Sequence, residues 1–182
     1  MMTKTIALAG NPNTGKSTIF NSLTGLNQHT GNWPGKTVAN ARGKFIHKGK
    51  TFTLVDLPGT YSLLANSLEE EVARDFICHE NPDATVIVVD GTCLERNLNL
   101  VLQIMTVTPR VIVCVNLMDE AERKGIKIDL NKLEKLLEVP VVGTAARSGI
   151  GLEQLLDAID RVASSRITSK PVRIPALEYR FS

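Results

Sequence analysis

The sequence predicts an α/β fold in which a mostly parallel sheet carries helices on both faces. Short runs that are apolar throughout alternate with segments of helical period, and several of these runs end in Gly, Asp or Asn. Strands that are apolar throughout are buried on both faces, as in parallel sheets covered by helices. Of the 182 residues, 43% are hydrophobic and 22% are charged, which is typical of one globular domain. We therefore expect a single doubly wound domain.

Six segments have the apolar, β-branched pattern of strands, and longer segments between them have a helical period. We predict strands at residues 4–10, 38–48, 51–59, 84–91, 110–116 and 139–144. We predict helices at residues 16–26, 94–105, 130–137 and 151–164. The second strand is weaker and more polar, so we place it at the edge of the sheet. A hairpin through "HKGK" would make it the one antiparallel strand.

The character of the chain changes after Ser164, where two prolines occur and no clean periodicity follows. We expect the folded domain to span residues 1–166 and residues 167–182 to be a linker or the start of a further domain. No apolar run approaches the roughly 20 residues that a membrane span needs, and the amino terminus lacks the apolar stretch of a signal peptide. We therefore expect this segment to be soluble and cytosolic.

The composition gives no sign of a nucleic-acid partner or of a disulfide framework. Lysine and arginine number 21 against 19 acidic residues, so the net charge is +2 and shows no broad basic footprint. Cys78, Cys93 and Cys114 show no C-x-x-C spacing, which disfavours both a zinc site and paired disulfides. We expect reduced thiols, with Cys114 inside the core.

The stretch "GNPNTGKS" directly follows the first predicted strand and directly precedes a helix, which is the context that a phosphate-binding loop requires. Its glycines let backbone N–H groups face a phosphate, and the helix amino terminus adds its positive dipole end. We expect Lys16 to reach the β and γ phosphates and the Ser17 hydroxyl to hold Mg²⁺. The predicted nucleotide contacts of this loop are Gly10, Asn11, Pro12, Asn13, Thr14, Gly15, Lys16, Ser17 and Thr18.

The stretch "NLMD", from Asn116 to Asp119, follows the fifth predicted strand at the edge where ligands bind in open α/β sheets. Alone it would indicate a helix start rich in Asn and Asp. After a phosphate loop it predicts guanine recognition, because the Asp119 carboxylate can accept from guanine N1–H and the 2-amino group. Each such bond is worth about 1.5–3 kcal/mol. We therefore predict GTP and GDP rather than ATP as the ligand.

The stretch "DLPG" ends the third predicted strand and supplies Asp56, Leu57, Pro58 and Gly59. Asp56 is placed to hold Mg²⁺ through water, and the Gly59 N–H to meet the γ phosphate. On its own the stretch would indicate a Pro-Gly turn after a strand. Its position between the two other motifs favours the nucleotide-binding interpretation.

These motifs, in this order, resemble those of small Ras-like GTPases. The stretch "GTAARSGIG" resembles their last guanine-contacting loop, which assigns Thr144, Ala145 and Ala146 to the base. Ala146 is the preferred N–H donor to guanine O6, although the register can slip by one residue. Residues 10–38, "TLVDLPGTYSL" and "LERNLNL" together resemble the amino-terminal G domain of the FeoB family of bacterial ferrous iron transport proteins. The resemblance runs from about residue 4 to residue 164.

The resemblance implies a slow, Mg²⁺-dependent GTPase that couples or regulates Fe(II) uptake at the cytoplasmic face of the bacterial inner membrane. It also implies that a helical domain, beginning near residues 167–182, and a transmembrane region follow in the full-length protein, and that a homo-oligomer can form. A second interpretation is a stand-alone Era-like GTPase of ribosome or tRNA maturation. A third, a P-loop kinase or ATPase, conflicts with "NLMD".

The resemblance also assigns the segment around "GNWPGKT" to switch I. It implies that Gly35 and Thr37 contact the nucleotide, that Thr37 holds Mg²⁺, and that the carbonyls of Gly31 and Trp33 bind K⁺ together with Asn13. The alternative is that Trp33 caps an apolar patch, and both can hold at once. A potassium ion would have a reason to be there, because no glutamine follows Gly59 to orient water and no arginine finger can be assigned.

Three further expectations concern single residues. Leu117 stands where many GTPases carry lysine, which predicts weaker nucleotide binding and quick GDP release. Cys78 and His79 are adjacent, and two adjacent side chains on a helix face different ways, so we do not expect them to bind iron. The acidic run at residues 69–71 is expected to be an exposed helix start.

Overall fold

The computed structural model describes residues 2–165, so the predicted boundary at residue 166 and the segment 167–182 lie outside the described residues. The strands are β1 (Lys4–Gly10), β2 (Gln28–Asn32), β3 (Ala39–His47), β4 (Lys50–Asp56), β5 (Ala84–Asp90), β6 (Val111–Asn116) and β7 (Val141–Gly143). The helices are α1 (Lys16–Thr24), α2 (Leu68–His79), α3 (Leu94–Val107), α4 (Met118–Arg123), α5 (Leu130–Leu137) and α6 (Leu152–Ser164).

The strands form one sheet in the order β2-β3-β4-β1-β5-β6-β7. Strands β4, β1, β5, β6 and β7 run parallel, whereas β2 and β3 pair antiparallel with their neighbours. The predicted fold class, a mostly parallel sheet with an antiparallel edge and helices on both faces, is confirmed. The topology is that of a doubly wound sheet whose ligands bind at the carboxyl ends of the parallel strands.

Three details of the predicted sheet were wrong, the first being that two pairs, β2–β3 and β3–β4, are antiparallel rather than one. The sheet has seven strands rather than six, and the segment 38–48 forms β3, the second strand from the edge, rather than the edge itself. The missed edge strand β2 reads "QHTGN" and is mostly exposed. It has no apolar residue and therefore no hydrophobic period to detect. Backbone pairing with β3, from Gln28 opposite Gly43 to Asn32 opposite Ala39, holds it in place.

Each face of the sheet has its own apolar core. Ile6 and Leu8 of β1 pack on one face with α1 and α6, whereas Ala7 and Ala9 pack on the other face with α2 and α3. All four are buried, which explains why β1 is apolar without alternation. Full burial of a large aliphatic side chain stabilises the fold by about 1.5–3 kcal/mol. These two cores fix the strand ends from which the candidate site is built.

The amino edge of the sheet carries a set of ion pairs between the β3–β4 hairpin and α6. His47 Nε2 lies 2.8 Å from Asp157 Oδ1, and Lys48 Nζ lies 2.7 Å from the same oxygen. Lys50 Nζ lies 2.7 Å from Asp160 Oδ1. Hydrogen bonds from Lys48 and then from His47 lower the pKa of Asp157, and the bond from Lys50 lowers that of Asp160. These pairs fasten the hairpin to the last helix.

The three cysteines are free in the structure, and Cys114 is fully buried, as predicted. Burial raises the pKa of the Cys114 thiol to about 12. Within residues 2–165, no three His, Cys, Asp or Glu side chains are grouped so that they could hold a metal ion. In the same range, every helix is too short or too polar to cross a membrane.

Candidate nucleotide-binding site

The loop between β1 and α1 is shaped to expose its backbone to an anion. Asn13 and Gly15 adopt left-handed backbone conformations, with φ of 64° and 82°. A side chain at Gly10 would bring its Cβ within 2.6 Å of the Val88 carbonyl, so the loop leaves β1 tightly against β5. The Thr14 hydroxyl donates to the Asn11 carbonyl at 3.1 Å and closes the turn. The loop therefore delivers the chain into the amino terminus of α1, where backbone N–H groups point outward.

Lys16, the first residue of α1, reaches across to the end of β4. Its Nζ contacts the Asp56 carboxylate and donates to the Leu57 carbonyl at 2.7 Å. Burial raises the pKa of Asp56, and the neighbouring Lys16 ammonium acts in the opposite direction. The raised pKa means that the ionised carboxylate is costly where it stands. A half-buried carboxylate and an ammonium thus face each other at the point where the phosphate loop meets "DLPG".

A cleft of about 400 Å³ brings the phosphate loop, "DLPG" and the predicted switch I together. Its lining includes Lys16, Gly31, Thr37, Asp56 and Gly59. Five residues that the sequence separates by up to 43 positions therefore line one opening. Leu57 is buried below the cleft, and Pro58, which also lines it, is half-buried. Ser17 and Thr18 are exposed on the first turn of α1.

Asn116 joins the base motif to the other two loops. It is only 1% exposed, and its Nδ2 donates to the Thr14 carbonyl at 3.1 Å. Its Oδ1 accepts from the Thr144 hydroxyl at 2.9 Å and from the Ala146 N–H at 3.1 Å. A Cβ at Gly15 would lie 2.2 Å from the Asn116 amide nitrogen, so the two loops touch. Asn116 thus acts as a structural tie between three predicted nucleotide-binding segments.

The rest of the base side lies around this tie. Leu117 adopts a left-handed conformation with φ of 60° directly before α4, and Asp119 stands exposed in the first turn of that helix. Thr144 and Ala145 are buried. The Ala146 N–H, predicted to donate to guanine O6, already donates to Asn116 in this structure. A ligand carbonyl would have to share that N–H or use a neighbouring one.

We call residues 30–38 the switch I segment. Gly31 lies in β2 opposite Asn40, so this part is a strand rather than the loop that the sequence suggested. The Trp33 N–H donates to the Val38 carbonyl, and the Trp33 carbonyl accepts from the Lys36 N–H, both at 2.9 Å. A compact turn therefore follows β2, and Gly35 within it has a φ of 70°.

The Trp33 side chain caps an apolar patch, which is the alternative that the sequence analysis gave for this residue. Its ring packs edge-on against Phe76 of α2, with centroids 5.6 Å apart. The Arg42 guanidinium lies 5.6 Å from the Trp33 ring and 5.8 Å from the Phe76 ring. Lys36 pairs with Glu71 at 2.8 Å beside this contact. Sequence reasoning missed Phe76 and Arg42, because nothing in their local pattern separates them from ordinary helix and strand residues.

We call residues 57–67, between β4 and α2, the switch II segment. The Thr60 N–H donates to the Gly10 carbonyl at 3.1 Å, which ties the segment to the phosphate loop. Ser67 caps α2 by accepting from the Glu70 N–H, and the acidic run at 69–71 forms the first turn. The run begins the helix as predicted, but only Glu69 is exposed, and it also lines the cleft, whereas Glu70 and Glu71 are half-buried. Cys78 is half-buried and His79 exposed at the other end of α2.

A phosphate loop after the first strand and Asn-x-x-Asp after β6, in a sheet of this order, define the class of Ras-like GTPase domains. The model of the family described as ferrous iron transport protein B matches residues 4–159. The chain belongs to this family, and the part that it matches is the G domain.

Two solved structures and one curated relative illustrate the match. The Fe(2+) transporter FeoB of Salmonella typhimurium is 45% identical over 161 residues, which cover 86% of this chain and 21% of the relative. The FeoB G domain of Methanococcus jannaschii is 47% identical with a TM-score of 0.81 and covers 91% of this chain and all of that one. The T. maritima FeoB cytosolic domain in its GMPPNP form is 40% identical with a TM-score of 0.86, covering 95% and 67%. The chain spans about a fifth of the length of the curated relatives it matches.

Proposed function

We propose that this chain binds and hydrolyses GTP in a Mg²⁺-dependent reaction and serves as the nucleotide switch of a ferrous iron transporter. The observation that carries the proposal is the position of Lys16, whose Nζ spans the cleft to Asp56 and Leu57. An ammonium group held there by one carboxylate and one carbonyl can exchange them for β and γ phosphate oxygens. The solved GMPPNP form of the T. maritima relative supports a triphosphate ligand.

The phosphates are held mainly by backbone. N–H groups of the loop from Asn11 to Thr18 surround the α and β phosphates, in the manner of helix amino termini that bind anions. The Gly59 N–H meets the γ phosphate from the switch II segment, with Leu57 and Pro58 shaping the wall. Among the described residues that line this cleft, Lys16 is the only one with a positively charged side chain.

Ser17, Thr37 and Asp56 are the residues that would hold Mg²⁺. Hydroxyl and carboxylate oxygens are the hard donors that this ion prefers, and Thr37 and Asp56 line the same cleft. The half-buried Asp56 carboxylate, whose pKa is raised by burial even with Lys16 beside it, fits this role. When bound, Mg²⁺ neutralises charge on the β and γ phosphates. Ordering of Thr37 and Gly59 around the γ phosphate, and their release after hydrolysis, is the switch.

Guanine is selected by Asp119, whose exposed carboxylate accepts from N1–H and the 2-amino group. Leu117 covers the ring with apolar surface but brings no charge, so we expect weak binding and quick GDP release. Thr144 and Ala145 line the base from below, and Ala146 or the next residue donates to O6. The buried amide of Asn116 keeps these loops in register with the phosphate loop.

Hydrolysis is proposed to be slow and stimulated by K⁺. Thr60 follows Gly59, so the glutamine that orients water in Ras-like enzymes is absent from this position. Asn13 is exposed in the phosphate loop and offers a side-chain oxygen beside the β and γ phosphates. The Gly31 and Trp33 carbonyls complete the proposed set. The Trp33 carbonyl accepts from the Lys36 N–H in this structure, and its oxygen carries a second lone pair that can coordinate K⁺.

The role in iron uptake follows from the family. The curated relatives are named Fe(2+) transporters and are about five times longer than their match with this chain. We propose that this domain lies at the cytoplasmic face of the bacterial inner membrane, followed by helical and transmembrane domains, and that it acts within a homo-oligomer. The family match favours this proposal over a stand-alone GTPase of ribosome or tRNA maturation.

The test of base selection is a titration of the purified domain with fluorescent GDP and ADP, using Asp119→Ala as the variant. We expect GDP to bind at least about a hundredfold more tightly than ADP, because two charge-assisted bonds are involved. Asp119→Ala should lower GDP affinity to the ADP level. Equal affinity of the unchanged protein for both nucleotides would contradict the proposed function.

The test of the K⁺ proposal is the hydrolysis rate in KCl and in NaCl at equal ionic strength. We expect the rate to be higher in KCl, and Asn13→Ala to remove the difference. Equal rates of the unchanged protein in the two salts would reject the role of Asn13. The GTPase assignment would stand in that case.

A further inference from the structure

Helix α3 places one fully buried amide against the switch II segment. Gln103 is 1% exposed and sits among the apolar residues of α3 that form the core with Leu63. Its Oε1 accepts from the Leu63 backbone N–H at 2.7 Å. Leu63 itself is 1% exposed, so this N–H has no route to solvent. An apolar residue at position 103 would leave a buried donor unpaired.

This bond lies close to the residues that meet the γ phosphate. Gly59 is the proposed γ-phosphate donor, and Thr60 donates to the phosphate-loop carbonyl of Gly10 at 3.1 Å. Only Tyr61 and Ser62 separate Thr60 from Leu63. The segment after Gly59 is therefore fastened at its near end to the phosphate loop and at its far end to α3.

A second contact joins the same helix to the same segment. The Arg96 guanidinium of α3 lies 5.2 Å from the centroid of the Tyr61 ring. Tyr61 is exposed, so this cation–π contact is the weaker of the two attachments. Arg96 and Gln103 are seven residues apart, two helical turns, and thus lie on the same face of α3.

We propose that Gln103 is a positioning residue of the GTPase reaction, which holds the switch II segment so that Gly59 presents its N–H to the γ phosphate. The inference rests on the proposed function for its kinetic part. It names α3, whose residues do not line the cleft, as the element that sets the position of this segment. The Gln103 side chain acts through Leu63 and does not touch the nucleotide.

Two variants test this role. Gln103→Met keeps the length of the side chain but removes the oxygen that accepts from the Leu63 N–H, whereas Gln103→Glu keeps such an oxygen. A carboxyl buried at this position is expected to be protonated and still accepts from the Leu63 N–H. The control is Asn97→Leu, since Asn97 is the other buried amide of α3 at 3% exposed. Its side chain bonds to Asp90 and Cys93 and not to the switch II segment.

We expect Gln103→Met to lower kcat for GTP about tenfold, the factor that one ordinary hydrogen bond is worth, with GDP affinity within about twofold. Gln103→Glu should restore most of the rate, and Asn97→Leu should leave kcat unchanged. In nucleotide-free protein, amide exchange at Leu63 should become faster in Gln103→Met alone. Unchanged exchange at Leu63, or unchanged kcat, in Gln103→Met overturns the proposal. Absence of GTP hydrolysis by the unchanged protein contradicts the proposed function instead, and the exchange measurement still decides whether Gln103 fastens the segment.

Discussion

Carboxyl groups at the two edges of the sheet have their pKa values shifted in opposite directions. At the carboxyl edge, burial raises the pKa of Asp56, and the ionised form is costly even with Lys16 beside it. At the amino edge, hydrogen bonds from Lys48 and Lys50 lower the pKa values of Asp157 and Asp160. The ionised form stabilises the fold at the amino edge and destabilises it at the site. The difference indicates which charges are arranged for a ligand and which are arranged for the fold.

The largest effect that tests this comparison is expected from the two lysines. Lys16→Met should lower GDP affinity about a hundredfold or more, because it removes charge-assisted bonds to phosphate worth about 1.5–3 kcal/mol each. Lys50→Met at the amino edge is the matched control and should leave affinity unchanged. Calorimetric titration with GDP measures both. A Lys16→Met protein that binds as tightly as the unchanged one would remove Lys16 from the site.

The next largest effect is expected at Asn116, which belongs to the candidate site and also stabilises the fold. Asn116→Ala should lower the free energy of unfolding by about 2–4 kcal/mol, because it leaves buried partners at Thr14, Thr144 and Ala146 unpaired. Asn99→Ala, an exposed position on α3, is the control and should change stability little. Urea denaturation without nucleotide checks both. Equal free energies of unfolding for the two variants would mean that the hydrogen bonds of Asn116 at the carboxyl edge do not stabilise the fold.

A smaller effect is expected where the site edge is held by partly exposed contacts. Trp33→Ala should lower single-turnover GTP hydrolysis about tenfold, since the loss of an aromatic pair and a cation–π contact frees the switch I segment. Trp33→Phe keeps an aromatic ring against Phe76 and should retain most of the rate. An unchanged rate of GTP hydrolysis in Trp33→Ala would show that the contacts of the Trp33 ring do not influence the position of Thr37.

The smallest effect is a pH dependence at the amino edge. Because the pKa values of Asp157 and Asp160 are lowered in the fold, their stabilisation is present above the ordinary value of 3.8 and is lost as the pH falls through the folded-state values. The double variant Asp157→Asn, Asp160→Asn should therefore lose less stability than the unchanged protein on acidification through that window. Thermal unfolding at a series of pH values measures it. Identical pH profiles would contradict the assignment.

The sequence pattern was sufficient to predict those strands and loops whose residue types are dictated by burial or by a binding motif. The apolar strands and the loops after β1, β4 and β6 stand where predicted, because strands buried on both faces must be apolar and the motif residues need the strand ends. Strand β2 was missed because backbone pairing alone holds its polar residues. The bonds of Asn116 and Gln103 were invisible for another reason. An amide in a sequence shows no sign of a partner that lies 30 or 40 residues away.

The place of Trp33 has a practical consequence. The chain contains one tryptophan, and its ring lies in the switch I segment, against both the phenyl ring of Phe76 and the guanidinium of Arg42. Indole emission from this protein therefore originates in the switch I segment, which we propose rearranges when nucleotide binds. Intrinsic fluorescence excited at the long-wavelength side of the absorption band gives a label-free, real-time record of that movement, free of signal from the rest of the chain.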